Sequence, residues 1–440
     1  MKPGLPRKLK FFSLTSIVIG DMIGAGIFTT SGLLLARLHD PLLLLILWIV
    51  GGAIALSGAL CYGELGANFP RAGGEYAFLS ELFSPLTGFL SGWVSFLVGF
   101  SAPVAASSLA FSEYLIRTLP HTLLPEDPEP VKKLIAIGII LIFTAVHYFG
   151  LQSGSRVQNI LTGIKVTLIL FLLFTGFAFG KGSLDHFIVQ MDAGSAKVNL
   201  RTTGLALMWI MFAYSGWNAS TYVGSEVVNP RKNIPASLLL GTGLVTLLYF
   251  LLNLLFVYAL PAKEMKGVVP VGGLAANYLF NRTLDQVFSL FIALILLSAI
   301  SVLIIIGPRV YYAMAHSGHF FGPARKINRA MVPGVSILIQ SGLAILYILT
   351  GTFEQIITFL SFSLGIFPIL AVAGVFKLRI TNRSNHKMPG YPFVPALFIL
   401  SSSLILILAF LERPGESSIA LGLIIAGIPL FYLVRWGGNK

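Results

Sequence analysis

Charged residues are sparse along this chain and divide it into long apolar runs. These cover residues 11–36, 41–63, 82–112, 134–155, 157–180, 202–225, 233–262, 286–308, 330–353, 355–376, 388–411 and 417–434. Each meets the roughly 18–20 residues that a helix needs to cross a hydrocarbon core. Backbone in lipid must satisfy its own hydrogen bonds, so the runs predict helices rather than loops. The expectation is an all-α polytopic membrane protein with twelve transmembrane helices. The first run is too long for a removable signal peptide and has no small-residue cleavage site. Only two charges fall inside the runs, Asp21 and Lys165.

Composition supports this picture, with 56% hydrophobic and 11% charged residues, where soluble domains carry about 25% charged. The net charge of +13 matters through its distribution. With the N-terminus placed inside, Lys and Arg number 18 on the inner segments and 11 on the outer ones, while acidic residues number 4 and 12. This asymmetry predicts a plasma-membrane protein with both termini in the cytoplasm. It also makes "RKINRA" (325–330) and "KLRITNRSNHK" (377–387) topology determinants rather than nucleic-acid sites, so no nucleic-acid partner is expected. Cys61 is the only cysteine, which excludes an intrachain disulfide and a thiolate metal cluster. His147, His316 and His319 have no ligand spacing with carboxylates, and His147 reads as a satisfied polar residue. No metal and no cofactor are expected. The chain has no P-loop, nucleophile elbow or dinucleotide fingerprint, and its loops are too short for a soluble catalytic domain, so it is not expected to be an enzyme.

Within the first run, "VIGDMIGAGIF" (18–28) places Asp21 and three glycines where a membrane helix favours large apolar residues. Gly24 lies fourteen residues beyond Lys10, about 20 Å along a helix and so near mid-bilayer. Taken alone, the glycines suit either close helix packing or an unwound helix lining a cavity. The sixth run favours the second reading, because "MWIMFAYSGWNASTYVGSEVVNP" (208–230) interrupts a helix at Ser215 and Gly216 at comparable depth. Spans one and six are five apart and cross in opposite directions. Interrupted helices in corresponding positions of inverted halves point to the midplane site of a secondary transporter. A broken helix leaves bare N–H groups where its second half starts and bare carbonyls where its first half ends. Ala25, Gly26 and Ile27 can then donate to a carboxylate, and carbonyls around Ile23, Phe212 and Ser215 can accept from an ammonium. The small-molecule partner that fits is an α-amino acid.

Five stretches carry a resemblance. "YGELGANFPRAGGEYAFLSELFSPLTGFLSGW" (62–93) and "IGAGIF" (23–28) resemble the amino acid–polyamine–organocation superfamily. "FAYSGWN" (212–218), followed by "EVVNPRKNIP" (226–235), resembles its L-type amino acid transporter branch, and "PRVYYAMAHSGHF" (308–320) resembles the end of the superfamily's helix eight. The resemblance implies a five-plus-five inverted repeat of the leucine-transporter type, with helices one and six broken and two C-terminal helices added. The corresponding divisions are 1–180, 181–380 and 381–440. It implies a sodium-independent amino-acid permease or exchanger (antiport) that works by alternating access on neutral L-amino acids.

Several roles follow from the same resemblance. Gly24, Ala25 and Gly26 would contact the substrate carboxylate, Phe212 would gate the site, and Ser215 and Gly216 would form the unwound turn. Glu226 and Asn229 would hold the end of the sixth helix. Lys165, in "RVQNILTGIKVTL" (156–168), would stand where sodium-coupled members hold a sodium ion. It would tether the first helix to the eighth near Ser298 and Ser301. It lies nine residues from Arg156, about 13 Å along the helix and deep for snorkelling. Asp21 departs from the pattern and is expected to pair with Lys165, with a protonated or substrate-binding role as the alternative. That departure keeps a proton-coupled symporter, or a carrier of cationic amino acids or polyamines, as the alternative function. A non-transporting membrane sensor is the rival from another class, opposed by the absence of a signalling domain. The loop 120–133 lacks the cysteine with which animal relatives bond a glycoprotein subunit, and the chain lacks their long tails. No disulfide-linked heavy chain is expected, and the lipid bilayer of a bacterial inner membrane is the expected setting.

Overall fold

The computed structural model describes residues 5–119, 125–188, 199–268, 270–280, 282–350 and 353–437. Among these the chain is helical, with two isolated bridges, Leu9 with Val227 and Ala72 with Val223, in place of strands. The first run becomes two helices, α1 (Phe11–Met22) and α2 (Ala25–Leu38), and the second becomes α3 (Pro41–Asn68). A short helix α4 (Glu75–Leu82) precedes α5 (Pro85–Val94) and α6 (Ser101–Ile116). Then come α7 (Glu129–Tyr148), α8 (Leu151–Phe179), α9 (Leu200–Ala213) and α10 (Pro230–Ala259). Two short helices, α11 (Ala262–Met265) and α12 (Val271–Leu279), lead into α13 (Arg282–His316). The chain continues with α14 (Gly334–Thr350), α15 (Phe353–Ile380), α16 (Phe393–Glu412) and α17 (Pro414–Gly437). Nine stretches among the described residues are long and apolar enough to cross a bilayer, and α9 and α14 are shorter apolar helices.

Local chemistry fixes several starts. The Asp40 carboxylate accepts from the Leu42 and Leu43 amides at 2.8 and 3.1 Å, and Pro41 fills the first position of α3. Ser84 does the same for α5 through the Thr87 amide, again ahead of a proline, and Asn199 caps α9 through the Thr202 amide at 2.8 Å.

Beyond the first run, runs 82–112 and 202–225 are also interrupted. Run 82–112 carries a π turn, Ser95–Gly99, between α5 and α6. Run 202–225 is α-helical only to Ala213. Beyond it the chain turns and forms two single 3-10 turns, Ala219–Thr221 and Gly224–Glu226. Hydrophobicity marks a span's length but carries no information about where its hydrogen-bond ladder stops.

The helices pack in a recurring relation. α2 lies on α9, α3 on α10, α6 on α13 and α7 on α14, so each of the first four spans touches the one five spans later. α1 is enclosed by α10, α8 and α13, which places the first helix break in the interior. Large apolar side chains such as Leu134, Phe149, Phe174 and Phe393 point outward, as lipid-facing surface requires. Arg309 closes an apolar run in the sequence yet is buried inside α13 at 2% exposure.

Candidate binding site

The helix ladder of α1 stops at Met22, and α2 begins at Ala25 with Gly24 as an N-cap that offers no side chain. The Gly24 amide turns back to the Met22 carbonyl at 2.9 Å. The first-turn amides of α2 therefore remain open to a ligand, as at any uncapped helix start. On the other side of the break, the Lys165 ammonium donates to the Gly20 carbonyl at 3.0 Å and the Ile23 carbonyl at 2.5 Å. Lys165 is fully buried, so its charge is satisfied by the carbonyl end of α1.

The second break faces the first. After Ala213 the Ser215 amide folds back to the Phe212 carbonyl at 2.9 Å, and Gly216 takes φ +101°. A side chain there would be strained, and a methyl would sit 2.8 Å from Asp21 Oδ2 and from the Met22 amide. The two breaks thus touch through Gly216. They are also stitched by Tyr249 of α10, whose hydroxyl lies within hydrogen-bond reach of both the Met22 carbonyl and, at 3.0 Å, the Ala213 carbonyl, so that its one proton is shared between the two breaks. Gly26 provides a third contact, since a methyl on it would lie 2.7 Å from the Ala213 Cα.

Between the breaks lies a cavity of about 140 Å³, some tenfold the room a single water needs. Gly24, Ala25 and Gly26 line it from α2, and Phe212, Ser215 and Gly216 from the second break. Its apolar wall includes Met208, Met211, Trp217, Phe398 and Ile405. Asp21, Glu75, Ser107, Asn218 and Tyr222 are polar lining residues. Glu75 accepts from Asn218 Nδ2 at 2.8 Å and from the Tyr222 hydroxyl at 3.4 Å. Ser107 is 4% exposed, and its hydroxyl, 4.0 Å from a methyl placed on Gly24, has no partner among the described residues.

Several expectations need correction against this geometry. Ile23 and Ile27 are fully buried and lie outside the cavity lining; the Ile23 carbonyl already serves Lys165, and the Phe212 carbonyl already accepts from Ser215. Asp21 and Lys165 are close enough to act on each other electrostatically but form no hydrogen-bonded ion pair among the described residues, because two of the three ammonium donors go to carbonyls while the carboxylate turns toward Gly216. Lys165 does not bond to Ser298 or Ser301 either. Ser298 receives Gln158 Nε2 at 3.0 Å, and Ser301 pairs with His147 Nε2 at 3.0 Å. Gln158 and Thr162 of α8 therefore make the contact with α13, while Lys165 holds α1. Sequence reasoning missed Ser107, Gln158 and Tyr249 as site-forming residues. Gln158 lies two helical turns before Lys165 on α8, but nothing in a span's composition singles out one buried serine or tyrosine.

The end of the bundle that carries the N-terminal segment is closed by buried ion pairs. Arg309 Nε meets Glu226 Oε1 at 2.9 Å, with the pair 2% and 0% exposed. The Glu226 carbonyl accepts the Lys8 and Leu9 amides, each at 2.9 Å, and the Val228 amide returns to Leu9. Arg379 grips Glu64 through two bonds of 2.7 Å, and Ser384 and the Met388 amide complete the carboxylate's shell. At the surface, hydrogen bonding to Arg383, with Arg71 adjacent, holds the Glu81 carboxyl below its ordinary range. A second cavity lies at this end, bordered by Arg7, Arg71, Tyr312, His316, Ser317 and His319.

Comparison with known proteins agrees with this architecture. The amino acid permease family matches residues 9–434. The chain is similar to the b(0,+)-type amino acid transporter 1 of Mus musculus, 28% identical over 98% of this chain and 88% of that protein. It is also similar to the human cystine/glutamate transporter, at 31% identity over 98% of this chain and 86% of that one. With the human large neutral amino acids transporter small subunit 2 it shares 28% identity over 98% and 81%. These relatives are transporters and not enzymes, and the apolar helices make this a multi-pass membrane protein. The chain belongs to the amino acid permease family, within the amino acid–polyamine–organocation superfamily.

Proposed function

We propose that this protein carries amino acids across the plasma membrane by alternating access, as a permease or exchanger that needs no sodium. The observation that carries the proposal is the cavity between the two helix breaks, with the uncapped start of α2 on its surface and Lys165 behind it. The α2 amides and Ser107 receive the substrate carboxylate; Ser215 and Asp21 face its ammonium. Gly24, Ala25 and Gly26 thus recognise what all amino acids share, while the apolar wall accommodates neutral L-side chains. Phe212 acts as the gate over the bound substrate.

Sodium independence rests on Lys165. Its ammonium bonds the carbonyl end of α1, the task a bound cation would otherwise perform. The packing of each of the first four spans on the one five later supports a five-plus-five inverted repeat, with twelve spans and divisions near residues 180 and 380. The charge asymmetry supports cytoplasmic termini, so the Arg309–Glu226 closure belongs to the cytoplasmic side. Cys61 is fully buried in α3, which supports work without a disulfide-linked subunit.

Uptake of radiolabelled amino acids into proteoliposomes tests the function. Uptake is expected to exceed that of empty liposomes and to stay unchanged when choline replaces sodium. Binding without uptake in either direction would make the protein a sensor, and a sodium requirement would remove the role given to Lys165.

A further inference from the structure

The second cavity is larger than the central one, at about 500 Å³, and its wall is cationic. Arg7, Arg71 and His316 border it, and Glu81 is the one carboxylate among its described lining residues. That carboxylate is already held by Arg383 at 2.7 Å and by Arg71 at 3.2 Å. Glu226, buried beside the cavity, is matched by Arg309. The guanidinium of Arg7, on the exposed N-terminal segment, meets no partner among the described residues.

Backbone contacts gather these donors at one turn, Gly224–Glu226. The Lys8 and Leu9 amides bond the Glu226 carbonyl, each at 2.9 Å, which brings Arg7 and Ser225 to the same wall. Ala72 bridges to Val223, and a methyl on Gly224 would lie 2.8 Å from the Arg71 carbonyl. The end of α13 adds His316, whose ring stacks on Tyr312 at 5.9 Å. Basic residues at this face follow from topology alone. The Ser225 hydroxyl does not. It is buried at the cavity wall without a hydrogen-bond partner among the described residues, a costly arrangement unless a ligand meets it.

We propose that the second cavity binds a phosphate group. The Arg7 and Arg71 guanidiniums take its oxygens, and the Ser225 hydroxyl and a ring N–H of His316 are further donors. A bound anion joins the N-terminal segment, the 224–226 turn, the α3–α4 connection and the end of α13. It therefore favours the conformation in which these lie together, with this end of the bundle closed. The phosphate arrives free in solution or on a lipid headgroup at the membrane surface. The site lies apart from the central cavity, and its occupancy is measured without reference to the transported substrate.

Radiolabelled inorganic phosphate and a fluorescent short-chain phosphatidic acid are titrated separately against the protein in phosphatidylcholine nanodiscs. Saturable binding of phosphate assigns the site to the free anion, and binding of phosphatidic acid alone assigns it to a lipid. For whichever probe binds, Arg7→Gln is expected to weaken affinity about tenfold, and Ser225→Ala is expected to weaken it less. Arg325→Gln, basic and exposed but outside the cavity lining, should leave affinity unchanged. Thermal melts report whether each variant is folded. Absence of saturable binding for both probes overturns the proposal. So does unchanged affinity in folded Arg7→Gln and Ser225→Ala, or an equal loss in Arg325→Gln, which would reduce the effect to diffuse surface charge.

Discussion

Gly24 and Gly26 are two residues apart, yet the structure gives them different work. A methyl on Gly24 would find Ala299 at 3.8 Å and Ser107 at 4.0 Å, which is ordinary contact facing the cavity. A methyl on Gly26 would meet the Ala213 backbone at 2.7 Å. Gly26→Ala is therefore expected to separate α2 from α9 and destabilise the protein by about 1–3 kcal/mol. Gly24→Ala should keep the wild-type melting temperature and weaken substrate binding, and equal melting temperatures for both variants would contradict this division. Lys165→Ala leaves the Gly20 and Ile23 carbonyls without their donor, at about 1–3 kcal/mol each, and is expected to reduce uptake at least tenfold. Arginine should restore little, because a planar guanidinium does not fit where a compact ammonium bonds two carbonyls of one helix end. Phe212 is 9% exposed and lines the cavity. Phe212→Ala should leave folding intact and slow transport, and unaltered kinetics would reduce the ring to packing.

At the scale of elements, the informative contacts join helices that are distant in sequence. The Arg309–Glu226 pair joins α13 to the end of the unwound sixth span, and the Glu226 carbonyl holds the N-terminal segment against the same place. Removing one partner leaves a buried charge, so Arg309→Met is expected to cost about 3–5 kcal/mol. The double variant Arg309→Met, Glu226→Gln should recover part of that loss in thermal melts, and no recovery would mean that the pair contributes only packing. A weaker link is exposed. Glu81 of α4 is held by Arg383 and Arg71, and its carboxyl is lowered in the folded protein. A lowered carboxyl stabilises above its unfolded pKa, about 4.3, and that contribution fades as pH falls through the folded value. Since both pairs lie at the surface, Glu81→Gln should change stability at neutral pH by less than about 1 kcal/mol.

For the whole molecule, alternating access requires the central cavity and the second cavity beyond the Arg309–Glu226 closure to open in turn. The chain has one native cysteine, and it is buried, so introduced thiols report on a quiet background. Ser402→Cys in the central cavity and Ser317→Cys in the second cavity are expected to label with opposite responses to saturating substrate. Parallel responses at the two positions would argue against alternating access.

The apolar runs by themselves determined the helical class and the approximate spans, because bilayer thickness and backbone satisfaction leave few other solutions. Composition and spacing also located both helix breaks, since Gly24 and the Ser215-Gly216 pair are unusual at that depth. What remained hidden depended on direction rather than identity. The sequence places Asp21 and Lys165 in the same membrane and invites pairing them, but α1 turns its carbonyl end toward Lys165 and the Asp21 carboxylate toward Gly216. Only the tertiary structure brings Ser107, Glu75 and Tyr249 to the breaks, from α6, α4 and α10. A serine or tyrosine in an apolar helix carries no mark of its partner, and which group it meets is decided by how the helices cross.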